Sequence, residues 1–177
     1  MQRRRFLSAS LALLLWPLAG RSKEPTAVGT LPEPLAEVLE ASPFVYVSPL
    51  RADGSESTCH GEVWYAWLDG AVVLNTASDT WKSRALARGL DRARIWVGDH
   101  GRWKRALGGR SEAFRSAPSF EARAERSRDA ALLDRLLARF EQKYPDEIAT
   151  WHDDMRRGFL DGSRFLIRYR PEAEPRT

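Results

Sequence analysis

Short β-prone runs separated by glycine turns dominate the chain between residues 44 and 76. The runs cover residues 44–47, 57–68 and 71–76, and Asp53-Gly54 and Asp69-Gly70 lie between them. Asp-Gly pairs between such runs favour tight hairpin turns. The pattern therefore predicts three strands joined as an antiparallel meander.

The middle run is apolar on both of its faces. The alternating residues are Val63, Tyr65 and Trp67 on one side and Trp64, Ala66 and Leu68 on the other. A strand with two apolar faces must be covered on both. An open sheet would leave one of these faces in water, so the pattern favours a small barrel with helices or a second subunit packed outside it.

Helical periodicity is present in three segments, residues 34–40, 81–88 and 119–144. The first segment stops before Pro43, and the second begins after Thr80, whose side chain can cap a helix. In the third segment, the apolar residues that share one stripe are Leu132, Leu133, Leu136, Leu137 and Phe140.

Further strands are predicted at residues 92–97, around 103–107 and at 164–169. A chain of 177 residues is expected to form one domain. The segments together predict a mainly β domain of the α+β class, with short helices and one longer helical segment outside a barrel. We expect this domain to span residues 32–171, with a helical insertion at about 119–157.

The first 29 residues have the pattern of an export signal followed by a linker. Arg3, Arg4 and Arg5 precede Phe6-Leu7 and an apolar run that is too short to span a bilayer. This order resembles the twin-arginine signal of bacteria, which implies folded export by the twin-arginine machinery to the periplasm or the medium. A Sec signal or an uncleaved anchor is the alternative. No stable membrane span is expected after cleavage.

Composition narrows the possible partners and sites. The chain has a net charge of +4, but residues 1–23 hold five basic and no acidic side chains, which leaves 23 basic and 24 acidic residues elsewhere. Nucleic-acid binding therefore lacks electrostatic support. The single cysteine, Cys59, excludes an intrachain disulfide and a multi-cysteine metal site, and we expect it to be buried. No metal site is predicted, since His152 has only adjacent carboxylates beside it.

The most informative chemistry lies where the strand at 71–76 passes through a polar turn into a helix. A helix start offers backbone N–H groups, and here Thr80, Lys82 and Arg84 add a hydroxyl and two cations. These groups suit a phosphate monoester. The same spacing also fits a simple cap at Thr80 with both cations in solvent, and both interpretations stay open at this point.

In this region the sequence resembles the pyridoxamine 5′-phosphate oxidase-like family of FMN-binding split β-barrels. The matching positions are Thr76, Thr80-Trp81-Lys82, Leu86 and residues 94–97, after the two Asp-Gly hairpins. The resemblance covers residues 35–107 and extends to 159–170. It implies an antiparallel split β-barrel, FMN as cofactor, a homodimer that forms the cofactor site between its subunits, and a flavin-dependent oxidoreductase with a small-molecule substrate.

The resemblance also implies which residues bind the cofactor. Thr76, Thr80 and Lys82 correspond to phosphate contacts, and Arg84 is their neighbour by spacing. Trp81 is a candidate for contact with the flavin ring. The family's basic residue on the second strand corresponds to His60, which could equally be a hydrogen-bonded residue of the barrel.

Other ligands remain open because Tyr65 stands where the family has a second basic residue. A deazaflavin coenzyme is one alternative to FMN. Haem is another, with His60, His100 or His152 as the candidate axial ligands. A non-catalytic protein that binds a small ligand is the alternative from a different functional class.

Overall fold

All seven strands of the described chain belong to one antiparallel sheet. The structure, a computed structural model, describes residues 29–100 and 112–173. In these residues the elements, in chain order, are α1 (Glu33–Ala41), β1 (Val45–Pro49), β2 (Gly61–Val63), β3 (Ala66–Leu68), β4 (Ala71–Ala77), α2 (Trp81–Ala87), β5 (Arg92–Val97), a 3₁₀ turn (Ala113–Ser116), β6 (Ser119–Ser127), α3 (Ala130–Lys143), α4 (Pro145–Asp161) and β7 (Arg164–Pro171).

The strand order explains why the sheet curls. The order is β2-β1-β5-β6-β7-β4-β3, so β2 and β3 lie at opposite edges. Only Trp64 and Tyr65 separate these two strands along the chain. The sheet must therefore bend until its edges come close together, which produces a half-barrel.

The prediction of one strand over residues 57–68 is wrong. The run breaks at Trp64-Tyr65, and its two parts pair with different strands, β2 with β1 and β3 with β4. Both predicted hairpin turns form, and Asp69 and Gly70 have positive φ values of 52° and 67°, as an Asp-Gly hairpin turn requires. The two hairpins lie at opposite edges of the sheet, so the three runs do not form a meander.

The two apolar faces of this run are covered as predicted. Tyr65, with Val63 and Trp67 packed against it, belongs to the core inside the curled sheet. Ala66, with Trp64 and Leu68, belongs to a second core beneath α3 and α4. The described chain thus covers the outer face with its own helices.

The helix expected over residues 119–144 is wrong in its first third. Residues 119–127 form β6, which pairs with β5 and β7 in the middle of the sheet. Ala122 and Ala124 both point into the inner core, as alternate residues of a strand do. Burial of these two side chains in the sheet outweighs the helical propensity of the Ala, Glu and Arg residues in this segment. The helical insertion therefore comprises α3 and α4 rather than residues 119–157.

The other element predictions are confirmed within short shifts of their ends. The helices at 34–40 and 81–88 are α1 and α2, and the five residues of the predicted apolar stripe on α3 are all buried. Asp129 caps α3 by accepting from the backbone N–H groups of Ala131 and Leu132 at 2.9 and 3.2 Å. The strand predicted around 103–107 lies outside the described residues.

Two further observations concern composition-based expectations. The expectation that Cys59 is buried is wrong, because β2 begins only at Gly61 and Cys59 lies exposed in the loop before it. Among residues 29–100 and 112–173, no helix combines the length and apolar character needed to cross a membrane.

Candidate functional site

The turn between β4 and α2 is held together by three hydroxyl groups. Thr80 Oγ1 lies 3.0 Å from Thr76 Oγ1, 2.9 Å from Ser83 Oγ, 3.1 Å from the Ala77 carbonyl oxygen and 3.4 Å from the Ser83 backbone nitrogen. A hydroxyl has one proton to donate and two lone pairs. The hydrogen-bonding capacity of Thr80 is therefore filled within the turn.

This network gives Thr80 and Thr76 a structural role. Thr80 is the N-cap of α2, and Thr76 is only 4% exposed. Ser83 Oγ donates to the Ala77 carbonyl oxygen at 2.6 Å and fixes the first turn of the helix to β4. The capping interpretation that the sequence left open is thus present in the fold, and a phosphate could contact Thr80 Oγ1 only by displacing one of these hydrogen bonds.

Trp81, Lys82 and Arg84 lie on the same short helix. The Trp81 ring packs against the inner core, 3.2 Å from the position that a Cβ on Gly61 would take. The Lys82 ammonium lies 4.8 Å from the centre of that ring, within the range of a cation–π contact. Arg84 donates to the Asp79 carbonyl oxygen. Two cations are therefore presented by α2.

A further cation at this end of the sheet is Arg126 on β6. Its guanidinium lies 4.1 Å from the centre of the Phe165 ring, and Phe165 is the register partner of Thr76 between β7 and β4. The Arg126 side chain is exposed and makes no ion pair with another residue of the described chain. The sequence pattern does not single out Arg126, because it predicts a helix over residues 119–144. In the strand that forms instead, the alternation of side chains places Arg126 on the inner face with Ala124.

His60 is separate from this group. The Cβ direction of its neighbour Gly61 points to Trp81 inside the sheet, so the His60 side chain points to the outer face. There its ring lies 4.8 Å from that of Phe114, and Nε2 is 3.9 Å from Glu112 Oε1. The structure brings five of the predicted site residues together at α2 and leaves the sixth, His60, in another environment.

The other two histidines occupy two different places. The His100 ring lies 5.8 Å from that of Tyr46, which stacks on Phe114 at 4.8 Å, so His60 and His100 contact the same aromatic pair. His152 lies on α4 beside Asp153. In the part of the chain that the structure describes, no three potential metal ligands cluster.

Tyr65, where a second basic residue was expected, is part of the fold. It is fully buried, and its hydroxyl donates to the Leu39 carbonyl oxygen at 2.5 Å. The Lys143 ammonium lies 3.6 Å from the centre of the Tyr65 ring, and burial lowers the pKa of Lys143 to about 8. This cluster joins α1, α3 and the β2–β3 link, and it offers no cation to the α2 turn.

Comparison with known proteins supports the architecture. No family model matches the chain, and no curated protein matches its sequence. Among solved structures, HutZ, the heme storage protein from Vibrio cholerae, is similar with a TM-score of 0.53 and 15% identity, over 79% of this chain and 89% of HutZ. The chain has an α+β split-barrel fold.

Two other neighbours agree with this fold. The conserved hypothetical protein Rv2991 from Mycobacterium tuberculosis has a TM-score of 0.51 and 19% identity, over 83% of this chain and 84% of Rv2991. ChuZ from Campylobacter jejuni has a TM-score of 0.51 and 10% identity, over 78% of this chain and 51% of ChuZ. At these identities the likeness concerns the split barrel alone.

Proposed function

We propose that this protein is an exported split-barrel flavoprotein that binds FMN at the α2 end of its sheet and acts as an oxidoreductase on a small molecule. The observation that carries the proposal is the position of the Arg126 guanidinium at this end of the sheet. This guanidinium is held on the Phe165 ring, across from Thr76, and has no carboxylate partner in the described residues. A guanidinium in this setting can bind a phosphate group by donating two parallel hydrogen bonds to its oxygen atoms.

The residues near Arg126 fit a phosphate monoester chemically. Lys82 and Arg84 bring two more cations on α2, and the hydroxyl network of Thr76 and Thr80 fixes the helix that carries them. In this arrangement the arginines and the lysine hold the phosphate, while the two threonines position α2. Trp81 is the aromatic residue on the same helix that is available to the flavin ring. Hydride or electron transfer would be supplied by the flavin itself.

Export and assembly form part of the same proposal. Arg3-Arg4-Arg5-Phe6-Leu7 supports twin-arginine export, which suits a protein that folds around its cofactor before it crosses the membrane. A homodimer is proposed from the family resemblance alone. The apolar face formed by Trp64, Ala66 and Leu68 could have supported a dimer, but α3 and α4 of the same chain cover it.

Haem is the second candidate, and one observation favours it. His60 and His100 contact the same Tyr46–Phe114 pair, and Nδ1 of His60 is buried without a hydrogen-bond partner in the described residues. HutZ, which has the same fold, is named as a heme storage protein. A haem site on the outer face of the sheet would use these histidines and would not involve Arg126.

Substitution of Arg126 tests the FMN proposal. Arg126→Gln removes a charge-assisted contact worth about 1.5–3 kcal/mol, so the Kd for FMN is expected to rise about ten- to hundredfold. The Kd for riboflavin, which has no phosphate, should stay the same. Titrations of both ligands against the parent and the variant provide the measurement.

Arg128→Gln is the matched control. Arg128 is also exposed and also lies over a phenylalanine ring, 4.5 Å from the centre of Phe159, but that ring belongs to α4. Its replacement should leave the affinity for FMN unchanged. Equal losses in the two variants, or equal FMN affinity in Arg126→Gln and the parent, would remove Arg126 from the site.

A further inference from the structure

Two short segments before α1 have the small residues after which signal peptidases cut. They are Leu18-Ala19-Gly20, directly after the apolar run, and Ala27-Val28-Gly29. The second segment has small residues at both recognised positions and the first at one only, so the pattern alone points to the bond after Gly29. The first segment lies outside the described residues, and Gly29 lies within them.

The backbone of Gly29 is bonded to the end of β7. Its N–H group donates to the Pro171 carbonyl oxygen at 2.9 Å. A Cβ atom on Gly29 would lie 2.4 Å from the Glu172 carbonyl oxygen, which is far inside van der Waals contact. The two backbones therefore lie directly against each other, and the bond after Gly29 starts inside the folded domain.

The residues on both sides of this contact are themselves held in place. The Glu172 backbone N–H donates to the Glu121 carbonyl oxygen at 2.9 Å. The Glu172 carboxylate pairs with Arg92 and Arg123 at 2.7 and 2.9 Å. On the other side of the bond, the Leu31 side chain packs against the inner core. Release of the chain around Gly29 would therefore disturb both the edge of β7 and the core.

A peptidase cuts where the backbone on both sides of the bond is exposed and free of hydrogen bonds to the fold. In twin-arginine export the domain is already folded when its leader reaches the peptidase, so the bond after Gly29 is shielded. We propose that the leader is removed after Leu18-Ala19-Gly20, so that the mature protein begins at Arg21 and keeps Gly29 against β7. This inference rests on the export part of the proposed function and not on FMN.

Digestion of the purified full chain by bacterial signal peptidase in detergent tests the processing site. Mass spectrometry of the product should give an N-terminus at Arg21. A synthetic peptide of residues 12–34 contains both segments without the fold and should be cut after Gly20 and also after Gly29. A product of the folded protein that begins at Thr30, or a chain that stays uncut, would overturn the proposal. Identical products from peptide and protein would show that the fold does not shield the second bond.

Two matched variants each place a large residue at one of the two segments. Gly20→Leu should leave the full chain uncut, whereas Ala27→Leu should be cut at the rate of the parent, with folding of both checked by circular dichroism. Loss of cleavage in Ala27→Leu, or a product of Gly20→Leu that begins at Thr30, would overturn the proposal. The assay needs no export, so a chain that is cut after Gly20 in vitro but stays in the cytoplasm of cells would refute the proposed export and support the processing site.

Discussion

Replacement of Thr80 separates its role as a helix cap from a role as a phosphate ligand. In Thr80→Ala the α2 N-cap is lost, which costs about 0.5–2 kcal/mol. Thr76, which is 4% exposed, also loses its contact at 3.0 Å with Thr80 Oγ1. A buried hydroxyl left without a partner costs about 1–3 kcal/mol. The free energy of unfolding should therefore fall by about 1.5–5 kcal/mol.

Thr80→Ser is the matched control because it keeps the oxygen atom. Serine caps helices as well as threonine does, so this variant should lie within about 0.5 kcal/mol of the parent. Chemical denaturation at constant pH, followed by circular dichroism, gives the free energies of unfolding. FMN titration of the folded variants should show that Thr80→Ala binds FMN as the parent does.

The opposite pattern would refute this reasoning. If Thr80→Ala keeps the stability of the parent but loses affinity for FMN, the hydroxyl serves the ligand and not the helix. The structural basis of the expectation is that Thr80 Oγ1 has four groups within hydrogen-bond distance inside the turn. A phosphate could bind this oxygen only by displacing one of them.

Two further predictions concern export and pH. Arg3→Lys together with Arg4→Lys should stop the appearance of mature protein outside the cytoplasm, since lysine lacks the planar guanidinium; unchanged export in a cell-fractionation assay would indicate a Sec route. Burial lowers the pKa of Lys143 from 10.5 to about 8. The unfolded chain therefore binds this proton more tightly, and the free energy of unfolding should gain a contribution that rises from about pH 8 to about pH 10. Lys143→Met should lack this rise in denaturation experiments across that range, and an identical pH profile in both proteins would contradict the assignment.

Local sequence patterns predicted the parts of the fold that depend on neighbouring residues. The alternation from Val63 to Leu68 placed each side chain on the correct face, because the period of a strand follows from the backbone itself. The break at Trp64-Tyr65 was not predictable in this way. It arises because the two halves of the run pair with β1 and β4, and no local feature of the sequence encodes that choice.

In the candidate site, too, residues that are close in sequence were predictable, and residues brought together by strand pairing were not. Thr76, Thr80, Trp81, Lys82 and Arg84 are close in sequence, so a single turn brings them together. Arg126 reaches the same end of the sheet only through the pairing of β6 with β7 and of β7 with β4. His60 was placed by analogy, and the direction of Gly61 toward Trp81 shows that its side chain lies on the other face.

The identity of the bound molecule is the most direct test of the central claim. The full chain is expressed with its N-terminal signal intact and is purified from the cytoplasm. FMN is added, and the excess ligand is removed. The protein is then denatured, and the released molecule is identified by absorption spectroscopy and mass spectrometry. The account predicts FMN, with a flavin absorption band in the native protein. A Soret band from haem, a deazaflavin, or a folded colourless protein that does not retain added FMN would contradict it.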